Sequence, residues 1–155
     1  MNENNNVEQG ISVIPRACWS GLFDPDENGK VVIPDRYTGE IFCETFSWSY
    51  YKDEKAIKDF VANGITAIQT YAFNGNDTLI NISLPSITFI ERQAFNDCDN
   101  LVNVYLPNVT KILQYAFLNC KSIEELDLPK LEKIRSDTFS KMIGLKTINM
   151  PSLII

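Results

Sequence analysis

The sequence predicts a solenoid of stacked 22-residue coils, built from short parallel strands and helical or turn segments, behind an N-terminal cap that is β-rich and partly helical. Three observations predict it. Phenylalanine recurs every 22 residues after residue 65, a proline follows each of these phenylalanines 12 positions later, and both tryptophans lie in a non-repeating segment before them. A fixed period of this length is typical of solenoids, in which each coil packs on its neighbours.

The repeat spans residues 65–155 as four coils, of which the last is incomplete. Each coil carries a small residue before its phenylalanine, and aliphatic residues lie 5 positions before it and 6, 9 and 11 after it. The last two aliphatics alternate with outward positions, so they predict a short strand that proline ends. The phenylalanines and prolines are Phe73, Phe95, Phe117 and Phe139, and Pro85, Pro107, Pro129 and Pro151.

The outward positions of the predicted strands form two columns along the stack. These polar or aromatic side chains are predicted to bind a partner, because solenoids present their regular strand face to ligands and tyrosine is an efficient contact residue. The alternative is that they are merely solvated. The columns are Asn81, Asn103, Glu125 and Thr147, and Ser83, Tyr105, Asp127 and Asn149.

Two segments of the repeat, AFNDCDNLVNVYLPNV and AFLNCKSIEELDLPKL, resemble the BspA-type leucine-rich repeat. The resemblance covers about 90 residues, with Asn76 and Met142 standing where the family favours cysteine or another small residue. It implies a leucine-rich-repeat solenoid. Members are mostly surface proteins of bacteria, protists and some phages, associated with adhesion and protein contact, so it also implies a protein partner, from a host or an assembly, and a cell-surface, secreted or virion location.

The four cysteines lack the spacing of a zinc site, and the chain has no histidine. Cys98 and Cys120 occupy the same position in successive coils, where parallel side-chain directions favour two buried thiols over a disulfide. Cys18 and Cys43 lie before the repeat, and their spacing leaves open whether they pair.

The N-terminal third divides into a disordered polar tail over residues 1–10 and a cap over residues 11–64. The cap is predicted to be β-rich and to end in an amphipathic helix over residues 52–63, which would cover the open end of the first coil. Its aromatic residues are interpreted as a thin core. The alternative is a sugar-stacking or peptide-binding surface around Trp48, Tyr50 and Tyr51.

One segment of the cap resembles a calcium-binding loop, with oxygen donors at Asp24, Asp26, Asn28 and Asp35 and a glycine at the tight turn. Prolines bracket the segment in place of flanking helices, and Asp35 is shorter than the usual glutamate. A β-hairpin turning at residues 27–30 accounts for the same residues through the Asn-Gly preference of tight turns. Calcium is therefore a possible ligand, and no cofactor is required.

Charge and composition exclude several classes of function. The net charge is −6 and no run of lysine or arginine is present, which argues against nucleic acid as a partner. No apolar stretch reaches the ~18 residues of a membrane span, and the N-terminus has no signal-peptide pattern. Without histidine, a nucleophile motif or a phosphate-binding loop, the chain is predicted not to be an enzyme.

Three functions remain open from the sequence. The first is a non-catalytic protein-binding or adhesion module that uses the polar strand face. The second is a structural component of a virion or surface complex, or a homo-oligomer, joined through the apolar C-terminal coil at Leu153, Ile154 and Ile155. The third is a calcium-stabilised binder of surface glycans or peptides.

Overall fold

A computed structural model describes residues 23–41 and 56–154. In these residues the chain coils through ten short strands: β1 Lys30–Ile33, β2 Gly39–Ile41, β3 Asp59–Ala62, β4 Ile65–Ile68, β5 Asn81–Ser83, β6 Phe89–Ile90, β7 Asn103–Tyr105, β8 Lys111–Ile112, β9 Glu125–Asp127 and β10 Thr147–Asn149. The strands form three parallel sheets, in the orders β1-β3-β5-β7, β9-β10 and β2-β4-β6-β8. We call the first two together the front face and the third the side sheet.

The register of the sheets confirms the predicted period. Asn81 pairs with Asn103, and Thr147 pairs with Glu125, so equivalent residues lie 22 positions apart. The first coil is longer, because Lys30 pairs with Asp59, 29 positions later. Each coil contributes one strand to the front face, turns, and in the described coils from β2 to β8 contributes a second strand to the side sheet.

The helix predicted over residues 52–63 is wrong at residues 59–62, which form strand β3. Phe60 and Ala62 are buried and Val61 faces outward, the alternation of a strand rather than the face of a helix. β3 pairs on one side with β1 and on the other with β5, so Phe60 takes the place that Ile82 has in the next coil. Hydrogen bonding to two neighbouring coils thus outweighs a local helical pattern.

Several predictions for the N-terminal region concern residues outside the described ranges. The tail over 1–10, the pairing of Cys18 with Cys43, and the aromatic surface at Trp48, Tyr50 and Tyr51 all lie there. Within the described ranges, a turn is present at residues 26–30, where the N–H of Asp26 donates to the carbonyl of Lys30 over 3.0 Å, and the hairpin itself stays a prediction because the residues before 23 lie outside those ranges. Among these residues no helix has the length and apolar character that crossing a bilayer requires.

The core is a stack of phenylalanine rings. Phe73 and Phe95 lie with centroids 5.0 Å apart, and Phe95 and Phe117 lie 5.1 Å apart, both pairs with ring planes inclined by 12°. The small residue before each phenylalanine is buried, and the carbonyls of Ala94, Ala116 and Thr138 accept the N–H of the phenylalanine one coil earlier, as in the 2.8 Å bond from Phe73 to Ala94. Small side chains at this position therefore let the coils approach closely, as predicted.

Cys98 and Cys120 are buried, unpaired thiols, which confirms their predicted place in the core. The Sγ of Cys98 lies 3.2 Å from the carbonyl oxygen of Phe73, and that of Cys120 lies 3.1 Å from the carbonyl oxygen of Phe95. Burial raises the pKa of Cys120 to about 12, and burial likewise raises the pKa of Cys98. Both thiols consequently stay protonated at neutral pH and act as small apolar groups with one hydrogen bond.

The turn segments opposite the front face contain two left-handed residues in every coil from β4 onward. One column consists of Tyr71, Gln93, Tyr115 and Asp137, and the other of Gly75, Asp97, Asn119 and Lys141, all with φ between 53° and 69°. Only glycine adopts this conformation without steric cost. The backbone is therefore strained at most of these positions, and the phenylalanine stack and intercoil hydrogen bonds hold it in place.

Replacement of Lys141 by glycine should stabilise the protein. Lys141 has φ of 58° and is exposed, so the substitution relieves a steric conflict at the cost of some chain entropy. We expect a gain of about 0.5–1 kcal/mol in the free energy of unfolding, measured by chemical denaturation. Lys130→Gly, at an exposed turn residue outside the positive-φ columns, is the control and should destabilise. Equal losses for both variants would contradict the account.

Candidate functional site

The eight residues predicted to bind a partner are the first and last residues of the four strands β5, β7, β9 and β10. Their side chains point away from the core, while the middle residues of β5 and β9, Ile82 and Leu126, pack inward and are only 2% exposed. Tyr105 is the one aromatic side chain of the group and is 57% exposed. The sequence pattern therefore places these residues correctly on one surface, and their binding role stays a prediction.

The front face extends further than the sequence pattern indicates. Lys30 and Asp59 continue the column of Asn81, and Val32 and Val61 continue the column of Ser83, because β1 and β3 belong to the same sheet. The 22-residue spacing from Asn81 back to Asp59 is visible in the sequence. The helical interpretation of residues 52–63 concealed it.

Side-chain amides link part of the first column into a ladder. Asn103 donates from Nδ2 to Oδ1 of Asn81 over 2.6 Å, and Asn81 in turn donates to Oδ1 of Asp59. A carboxylate at Glu125 can only accept hydrogen bonds, and the unpaired amide oxygen of Asn103 is an acceptor as well. The ladder therefore cannot continue from Asn103 to Glu125. In the second column, between β9 and β10, Asn149 donates from Nδ2 to Oδ1 of Asp127 over 2.8 Å.

The backbone is divided at the same place. At the β5–β7 joint, the N–H groups of Val102 and Asn103 both bond to the carbonyl of Ile80, at 2.9 and 3.1 Å. At the β9–β10 joint, those of Lys146 and Thr147 bond equivalently to Glu124, at 2.8 and 3.2 Å. No described residue accepts equivalent bonds from Glu124 and Glu125, and β7 and β9 are not paired. The front face is thus split between β7 and β9.

The split is confined to the front face. On the side sheet the same two coils are joined by the 2.9 Å bond from the Glu132 N–H to the Thr110 carbonyl, and on the turn side by the 3.0 Å bond from Phe117 to Thr138. The two coils are therefore hydrogen-bonded on the side sheet and on the turn side but not on the front face. Two acceptors facing each other, Asn103 and Glu125, give a physical reason for the opening at this joint.

The opening forms a cleft of about 700 Å³. Six of the eight predicted residues line it, together with exposed apolar side chains such as Val102 and Ile148. Its charged lining groups are all acidic: Glu124, Glu125 and Asp127. Glu124 forms an ion pair of 2.7 Å with Lys146, whereas no described lysine or arginine pairs with the other two. The cleft therefore carries an uncompensated negative charge beside a tyrosine ring.

The residues of the predicted calcium loop are placed differently. Oδ1 of Asp26 accepts the N–H groups of Asn28 and Lys30, both over 2.9 Å, and these bonds lower the pKa of Asp26, that from Lys30 most. Asp35 accepts a 3.0 Å hydrogen bond from Asn63, beyond the extended strand β1. Among the described residues no three carboxylates or thiols converge as a metal site would require. Calcium binding, with Asp24 as a further ligand, stays a prediction.

Comparison with protein families gives one match, to the BspA type leucine-rich repeat region, in six copies over residues 44–155. Those residues make up more than two thirds of the chain. No curated protein matches it.

Solved structures of bacterial leucine-rich-repeat proteins share the fold. A leucine-rich repeat protein of T. pallidum is 23% identical with a TM-score of 0.70, over 79% of this chain and 59% of that one. A leucine-rich cell surface protein of Faecalibacterium prausnitzii is 20% identical with a TM-score of 0.66, over 84% of this chain and 41% of that one. The pneumococcal vaccine antigen PcpA is 20% identical with a TM-score of 0.56, over 83% and 40%. The chain therefore spans about half the length of these proteins.

Proposed function

The chain belongs to the BspA-type leucine-rich-repeat family, and we propose that it is a non-catalytic protein-binding module of the adhesion type, with the front face as its recognition surface. Leucine-rich-repeat proteins are generally binding modules rather than enzymes. The partner is a protein, and the cleft between β7 and β9 is the centre of the contact.

One observation carries this proposal: the cleft of about 700 Å³ lies on the regular strand face, where the solenoid presents exposed tyrosine, amide and carboxylate side chains together. Tyrosine supplies contact area with little loss of side-chain freedom, and it is enriched at the energetic centres of interfaces. Apolar groups such as Val102 and Ile148 lie beside it and are 40% and 38% exposed. A polar surface with apolar groups at its centre is the usual composition of a protein-binding site.

A cell-surface location is part of the proposal. Its support is the resemblance to the leucine-rich cell surface protein of Faecalibacterium prausnitzii, which shares the solenoid. A module of this kind would display its front face to proteins outside the cell.

The proposal is tested by affinity capture with a double variant, Tyr105→Ala with Asp127→Ala. Both side chains line the cleft and neither is in the core, so the variant should fold as the wild type does. Immobilised wild-type and variant protein are incubated with the same preparations of surface proteins, and recovered proteins are quantified by mass spectrometry. We expect the double variant to recover at least one protein about tenfold less than the wild type does, because it lacks two side chains at the centre of the proposed interface.

The matched control is Glu132→Ala with Lys133→Ala, two exposed residues next to strand β8 of the side sheet, to which Lys133 is bridged at Lys111. This variant should recover the same proteins as the wild type. If the double variant at the cleft captures every protein as well as the wild type does, the front face is not the recognition surface.

A further inference from the structure

We infer that the cleft between β7 and β9 receives an arginine side chain of the protein partner. The inference rests on the proposed function, because it names the group recognised at the same site. It follows from the geometry of the split, the charge of the residues that line it and the acceptors that the split leaves unpaired.

The width of the split excludes an inserted strand. Neighbouring strands lie about 4.8 Å apart, so a strand placed between β7 and β9 would need about 9.6 Å. Cα atoms of β7 and β9 remain within 8 Å of one another. The cleft can therefore hold a side chain of the partner at its opening, but not an additional hydrogen-bonded strand.

The charge of the cleft selects a cation. Glu125 and Asp127 line the cleft from β9 without an ion pair to a described base, and Tyr105 lines it from β7. A cation placed between them is attracted by both carboxylates and by the face of the ring. An anionic or purely apolar side chain would leave these carboxylates uncompensated.

The pattern of acceptors favours arginine over lysine. At the split, the carbonyl of Val102 receives none of the backbone bonds that its equivalents Ile80 and Glu124 receive from the following coil. Asn103 likewise accepts no side-chain bond from Glu125, in contrast to Asn81, which accepts from Asn103. Several acceptors facing one mouth suit a planar group with five donors, and the guanidinium plane can also stack on tyrosine.

The inference is tested with capped tripeptides that differ only in the central residue. Acetyl-Gly-Arg-Gly-amide is titrated into isotope-labelled protein and followed by NMR, beside peptides with lysine, phenylalanine or citrulline, which keeps the shape of arginine without its charge. We expect saturable shifts at Tyr105, Glu125 and Asp127 at millimolar peptide, with affinity in the order arginine, lysine, citrulline. Equal affinity for arginine and citrulline, or no saturable shift at the cleft, would overturn the inference.

Two substitutions locate the binding. Tyr105→Ala and Asp127→Asn should each weaken the arginine peptide about fivefold, since each removes one contact of the cation. Glu132→Gln on the side sheet makes the same change of charge away from the cleft and should have no effect, and equal weakening by this control would also overturn the inference. If arginine is not preferred but protein capture still depends on Tyr105 and Asp127, the inference fails and the proposed function stands. If arginine binds while capture is insensitive to both residues, the proposed function fails instead.

Discussion

Phe95→Ala should lower the free energy of unfolding by about 3–5 kcal/mol, among the largest losses expected from a core substitution in the described residues. Phe95 is fully buried and lies between the rings of Phe73 and Phe117, at 5.0 and 5.1 Å. Truncation removes both ring contacts and leaves a cavity between coils that cannot close, because neighbouring coils are fixed by backbone hydrogen bonds. Chemical denaturation followed by circular dichroism measures the loss.

Two further variants calibrate this expectation. Phe139 is only partly buried and its ring lies 6.1 Å from that of Phe117, so Phe139→Ala should cost less than Phe95→Ala. Tyr105→Ala, at a side chain 57% exposed, should change the stability by no more than about 0.5 kcal/mol. An equal loss at Phe95 and Phe139 would show that the stacked rings are not the continuous core described above.

Gly144→Ala should also be strongly destabilising, although it adds only one methyl group. A Cβ at residue 144 would lie far inside van der Waals contact with the carbonyl oxygen of Lys121 and 3.4 Å from that of Ile123. Both are backbone atoms of the preceding coil, so neither can rotate away. We expect a loss of about 1–3 kcal/mol in the free energy of unfolding, from separation of the last two described coils.

The neighbouring surface residue Lys146 provides the control for this prediction. Its side chain is 67% exposed and pairs with Glu124, so Lys146→Ala should change the stability by less than about 1 kcal/mol. Alanine at a loop glycine without such a contact often stabilises a protein by restricting the unfolded chain. A gain in stability for Gly144→Ala would therefore contradict the close approach of the two coils.

The repeat is predictable from sequence because each of its positions has one physical role in every coil. A phenylalanine at the same phase must stack, a small residue before it must allow close approach, and alternating aliphatics must face the core. Tyr105 and Asp127 could be assigned to the front face by this reasoning alone. The period thus predicts which side chains share a surface, including all eight proposed contact residues.

The first coils were harder to predict because local and long-range patterns conflict there. Ala56, Ile57, Phe60 and Val61 can be placed on one face of a helix, yet Phe60 pairs with Val31 of one coil and with Ile82 of the next. The first coil is also 29 residues long, so β1 does not fall on the 22-residue phase. A hydrogen-bonded neighbour on each side, which no local window contains, decides the structure of this segment.

The cleft could not be predicted from periodicity, because it is a departure from the repeat at a single joint. One signal was present in the sequence: the column Asp59, Asn81, Asn103 is interrupted by Glu125, which cannot donate to an amide oxygen. The effect of Glu125 becomes clear only when the hydrogen bonds that join Asp59, Asn81 and Asn103 are known. Only the structure shows that the backbone bonds are also missing at this joint.

Amide hydrogen exchange at Glu125 tests the split front face most directly. The equivalent N–H groups of Asn103 and Thr147 donate to the preceding coil and should exchange slowly, whereas that of Glu125 has no described acceptor and should exchange much faster. Glu125→Asn restores a donor to the ladder and should slow exchange at residue 125. Protection of the Glu125 amide equal to that of Asn103 in the wild-type protein would mean that the sheet is continuous and that the cleft does not exist.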